Sequence, residues 1–150
     1  MRNKSREIAY NALIAAVYVC LTLVSPFSFG VLNLRVAGML EVLGCIEKEY
    51  RKGITVGMII ANSFSPYGSV DVLVAIIISI VSYDLGWYIK NEKIRIAVLC
   101  IITAIAVSTE VCIFEPVSFP VMFVSMLISE TIICVIGYIM IRKMLQMLRR

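Results

Sequence analysis

The sequence predicts an all-α integral membrane protein of six helical segments, with both ends of the chain in the cytoplasm. Three observations lead there. Of 150 residues, 61% are hydrophobic and 16% are charged, and the mean hydropathy is +0.95, which is too apolar for a domain whose surface meets water. The apolar residues form long runs that recur along the chain, so lipid is the solvent of the fold. The basic residues gather at the ends of those runs.

Each element has its own reason. Arg2, Lys4 and Arg6 precede an apolar run from Ile8 to Val24. That run is too long for a signal-peptide core and no small-residue cleavage site follows, so residues 7–24 form a first spanning helix. Ser25 to Gly30 is an uncharged connector. Two short apolar pieces follow, residues 34–46 and 53–63, each covering about 16–20 Å against a hydrocarbon core of ~30 Å. They are short tilted spans or a re-entrant pair, and interrupted segments of this kind mark the binding site in many transporters. Residues 69–89, 94–113 and 119–146 complete the set, with Pro116 and Pro120 in the turn between the last two. Short connectors leave residues 1–150 as one transmembrane domain.

Charge sets the orientation. Lys48, Arg51 and Lys52 lie in the second connector, and Lys90, Lys93 and Arg95 in the fourth. Arg142, Lys143, Arg149 and Arg150 follow the sixth helix. The connectors at 25–33, 64–68 and 114–118 carry no Lys or Arg. The positive-inside rule then places both termini in the cytoplasm.

Composition also excludes several functions. The net charge of +4 sits at segment ends and does not describe a nucleic-acid surface. With no His and five scattered cysteines (Cys20, Cys45, Cys100, Cys112, Cys134), the chain has no zinc spacing and no CxxC motif. The cysteines act as small hydrophobes. No glycine-rich phosphate loop and no activated nucleophile can be assembled, so the expectation is a non-enzyme without metal or cofactor.

The most informative stretch runs from Gly57 to Asp71. An apolar segment breaks at Ser65-Pro66-Tyr67-Gly68 and re-enters the apolar phase through Asp71, which is a corner by its turn residues. Asn62 and Asp71 stand on its two lips, as helix caps or as ligands for a polar solute. Arg35 is the one basic residue outside the cytoplasmic groups, and Glu41, Asp71, Glu110 and Glu130 also fall within or at the lips of apolar segments. Ionisable groups at such depth are costly unless paired or wet, so they are candidate functional residues. Arg35 either staples helices through one of these acids or joins them around a small molecule rich in N–H donors. Tyr67 and Phe29 either stack on that molecule or are ordinary interfacial aromatics. Asp84 reads as an interface or dipole residue. In the first helix Ala9, Ala12, Ala15 and Ala16 form a small-residue pattern, for internal packing or for docking a partner.

Together these residues resemble the QueT family, substrate-binding S components of energy-coupling factor (ECF) transporters for queuosine precursors. The matching pieces are Ala12-Leu13-Ile14-Ala15-Ala16-Val17-Tyr18-Val19, Leu34-Arg35-Val36, the Asn62–Asp71 corner, and Ser129-Glu130-Thr131-Ile132 before Gly137. The resemblance implies a six-helix S-component bundle in the bacterial cell membrane. It implies a ligand, a 7-deazaguanine, held on the extracellular side by Arg35, Glu41, Asn62, Tyr67, Asp71, Glu110 and Glu130. Partners would be a membrane-embedded T component, docked on the alanines of the first helix, and two cytoplasmic ATPases. The family usually reads Arg-Ile-Ser-Glu where this chain has Arg35-Val36-Ala37-Gly38, so the family's glutamate is Gly38 here. Glu41, about 60° round the same helix, returns a carboxylate nearby. The family's Gly four residues after the corner's Asp is Ala75. Another vitamin-like heterocycle is the alternative cargo. A self-sufficient secondary transporter or channel is the alternative function, although no inverted halves are visible.

Overall fold

The computed structural model describes residues 4–25 and 35–148. Phe29, Leu34 and most of the first connector lie outside the described residues, as do Arg2, Arg149 and Arg150. The described regular structure is all helical: α1 (Lys4–Val24), α2 (Gly38–Ile46), α3 (Arg51–Asn62), α4 (Ser69–Ser79), α5 (Glu92–Phe114) and α6 (Phe119–Leu148). Helix α4 runs on through a π-helical turn, Ile80–Leu85, and a 3-10 turn, Gly86–Tyr88. Among the described residues, four stretches are long and apolar enough to cross a bilayer: Lys4–Val24, Ser69–Tyr88, Glu92–Phe114 and Phe119–Met147. The chain is therefore a multi-pass membrane protein. At 9 and 12 residues, α2 and α3 reach only about 14 and 18 Å.

The second segment opens later than its apolar run suggested. Residues Arg35 to Ala37 form a turn, with Gly38 N–H donating to Arg35 C=O at 2.8 Å, and α2 starts at Gly38. The third opens earlier, at Arg51. Its first turn is capped from another helix: Gly53 N–H donates to Asn11 Oδ1 at 2.7 Å. Asn11 Nδ2 donates in turn to Glu49 C=O at 3.0 Å. One amide side chain on α1 thus satisfies an N–H that a helix start leaves without an internal partner.

Helices α1 and α3 pack backbone to backbone. A Cβ on Gly53 would stand 2.5 Å from Asn11 O, and one on Gly57 would stand 2.9 Å from Tyr18 Cβ and 3.2 Å from Ala15 Cα. This Gly53-x-x-x-Gly57 spacing is the close-approach pattern of membrane helices. Gly137 of α6 similarly admits Met39 of α2, whose Cα lies 2.8 Å from where its Cβ would be. The core between the helices includes Tyr18, Val42, Ile54, Met58, Leu99 and Met126, all essentially inaccessible. Large side chains such as Ile113, Ile132 and Ile139 point outward, where lipid covers them.

The basic residues are organised at the end holding the α2–α3 and α4–α5 turns. Arg51 pairs with Asp84 at 2.8 Å. Glu92 accepts from Tyr138 at 2.9 Å and is paired with Arg142. The Arg95 guanidinium lies 3.9 Å from the centre of the Trp87 ring.

Candidate substrate site

The opposite end gathers the acids. The corner after α3 is built by its own side chains: Ser65 Oγ accepts from Tyr67 N–H at 3.2 Å, and Gly68 N–H donates to Ser65 C=O at 3.1 Å. Gly68 has φ of +62°, which a side chain would strain. Neither lip residue acts as a helix cap. Asn62 instead donates across the corner, Nδ2 to Asp71 C=O at 3.4 Å. Asp71 lies in the first turn of α4 and is buried. Tyr67 stacks on Phe114, ring centres 5.1 Å apart, which ties the corner to the end of α5. Burial, and then the charges of Glu115, Glu110 and Asp71, lift the Tyr67 phenol above its ordinary value.

Arg35, Glu41, Asn62, Asp71, Glu110 and Glu130 are all buried, each at most 8% exposed. Five of them lie one each on α2 to α6, and Arg35 lies in the turn before α2. The Arg35 charge acts on Tyr18, Glu41 and Asp71. Glu110 lies beside Asp71 and within reach of Arg35, while Glu130 faces Glu41 and Arg35. Two residues that sequence reasoning left out of the site complete it. Tyr18 donates to Glu41 Oε1 at 2.6 Å, and Tyr83 donates to the Glu41 main-chain carbonyl at 3.1 Å. A phenol in the middle of an apolar run, as both are, was the available signal.

The cluster is not fully satisfied from within. Asn62 Oδ1, Glu110 Oε1 and Glu130 Oε2 are buried and accept no hydrogen bond. All three are acceptors. Unmade hydrogen bonds of this kind cost about 1–3 kcal/mol each, more for a charge. Acceptors of this kind are satisfied by N–H or O–H donors. Gly38 stands directly beside this region: a Cβ there would lie 3.7 Å from Glu130 Oε2 and 3.1 Å from Ile133 Cγ2. Surface grooves lie between α1 and α3, between α3 and α4, and between α5 and α6; of the residues placed in the cluster, Tyr83 lines the α3–α4 groove.

A family model described as "QueT transporter" matches residues 8–146. The chain belongs to the QueT transporter family. The "Queuosine precursor transporter QueT" of Lactococcus lactis subsp. cremoris (strain MG1363) is 34% identical over 88 residues. That match covers 57% of this chain and 52% of the relative, so the chain spans about half the length of the curated relative it matches. No solved structure matches. Membership of a transporter family fits a transport protein.

The alanines of α1 divide. Ala15 is buried against Gly57 of α3, whereas Ala9, Ala12 and Ala16 are exposed. Ala12 borders the groove between α1 and α3 beside Ala15.

Proposed function

We propose that this chain is the substrate-binding S component of an ECF-type importer in the bacterial cytoplasmic membrane. Its cargo is a queuosine precursor of the 7-deazaguanine class. Residues 1–150 act as one transmembrane binding domain with both termini in the cytoplasm, and the corner faces outward. A T component docks on Ala9, Ala12 and Ala16, and two cytoplasmic ATPases supply the energy.

The observation that carries this reading is the set of buried acceptors without a hydrogen bond, Asn62 Oδ1, Glu110 Oε1 and Glu130 Oε2, in the cluster around Arg35 and Asp71. A 7-deazaguanine presents an N1–H and an exocyclic amino group on one edge. A carboxylate accepts both as a fork, and a ligand lacking them leaves the acid stranded. Glu130 or Glu110 takes this edge. Asn62 turns its amide toward O6 or accepts a further N–H. Arg35 and Tyr18 hold Glu41 in place, and Asp71 reads a basic substituent or the ribose.

Proteoliposomes test the division of labour. The chain together with a T component and ATPases is expected to accumulate a labelled deazaguanine only when ATP is supplied. Ion-driven accumulation by the chain alone would establish the self-sufficient transporter instead.

A further inference from the structure

We propose that the furrow between α5 and α6 binds one acyl chain of an anionic phospholipid, whose headgroup is held by Lys93. The furrow has a volume of about 550 Å³. Its lining includes the small side chains Ala97 and Cys100 on α5 and Thr131 and Cys134 on α6, of which the two cysteines are buried and the other two exposed. It runs from Lys93 to Ile101 along one helix and from Leu127 to Tyr138 along the other, about 12–16 Å at 1.5 Å per residue. That is the depth of a single leaflet, half of the ~30 Å hydrocarbon core.

The lining offers a chain nothing polar to desolvate. Thr131 Oγ1 donates to Leu127 C=O at 2.6 Å, and Tyr138 donates to Glu92 at 2.9 Å. At the open end the charge is basic. Lys93 and Lys90 are exposed, and the acid between them in sequence, Glu92, is taken by Tyr138 and Arg142. Basic positions between membrane helices at headgroup depth favour anionic lipids. Size separates a lipid from a protein partner. Spread over its length, the 550 Å³ gives a cross-section of roughly 40 Å², less than half that of a helix 10–12 Å across.

The test uses the full chain purified in mild detergent and titrated with phosphatidylglycerol or phosphatidylcholine of identical acyl chains. Bound lipid is counted by native mass spectrometry. Wild type is expected to retain phosphatidylglycerol over phosphatidylcholine by about fivefold, and Lys93→Gln is expected to remove that preference, the effect of one lysine near an anionic surface. Ala97→Phe, which places a ring in the furrow, is expected to lower retention of both lipids. Neither residue belongs to the cargo cluster, so deazaguanine binding stays unchanged in both variants, and a change there would mark a disturbed fold. Equal retention of the two lipids that neither variant alters overturns the proposal. So does efficient disulfide crosslinking of Ala97→Cys to a second copy in lipid membranes, which would make the furrow a seam between helices.

Discussion

Replacing Glu130 by Gln changes one carboxylate oxygen into an amide nitrogen and leaves the volume of the side chain nearly as it was. In the structure Glu130 Oε2 is buried with no hydrogen-bond partner, so the unliganded protein loses no bond there. The variant is expected to melt at or above the wild-type temperature. Cargo binding behaves differently. An N–H that met a charged acceptor now meets a weaker acceptor or another donor, and a hydrogen bond to a charged group contributes about 1.5–3 kcal/mol. At 1.4 kcal/mol per factor of ten, affinity falls roughly 10- to 150-fold. Isothermal titration of the purified variant, read beside its melting curve, separates the two effects. Glu110→Gln is the companion, because Glu110 Oε1 is equally unpartnered. If both variants bind every 7-deazaguanine within twofold of wild type while melting normally, the carboxylate fork is refuted.

Three further outcomes are expected. Tyr18→Phe removes the 2.6 Å bond to Glu41 Oε1 and leaves a buried carboxylate short of a donor, so stability should drop by about 1–3 kcal/mol in a reversible denaturant titration; an unchanged midpoint would contradict the contact. Gly53→Ala drives a Cβ onto the Asn11 backbone, 2.5 Å from its carbonyl oxygen, and overpacking of this kind costs about 1–3 kcal/mol, visible as a lower melting temperature. Ala12→Trp and Ala16→Trp replace exposed residues of α1 and should abolish uptake with ligand binding intact. Ala15→Trp, buried against Gly57, should lose folding and binding together.

Much of this arrangement is written in the sequence, for physical reasons that differ by residue. The long helices follow from apolar runs, because a lipid solvent forces backbone hydrogen bonds inside each segment. The depth of Arg35 and the four acids is equally plain, since a charge inside an apolar run stands out against its neighbours. Pairing is not. Which acid meets Tyr18, and that Tyr83 reaches the carbonyl of Glu41, depends on how helices rotate against one another, and a π-helical turn in the α4 stretch shifts that rotation. The glycines Gly53 and Gly57 carried a legible spacing that the corner and the alanines of α1 overshadowed. The start of α2 was hidden because Arg35-Val36-Ala37 reads as helix by propensity, whereas the chain spends those residues on a turn that places Arg35 amid the acids. The two faces of α1 could not be told apart, since Ala15 and Ala16 are equally small and only the position of α3 decides which one is covered.

The most direct measurement is isothermal titration of the purified chain alone, without partners or added ion gradients, against four ligands: the aminomethyl base, the cyano base, queuine and the nucleoside. Saturable 1:1 binding of at least one of them, weakened in Glu130→Gln, is the expected result. No heat from any of the four, in protein that melts cooperatively, would contradict a cargo site among the buried acids.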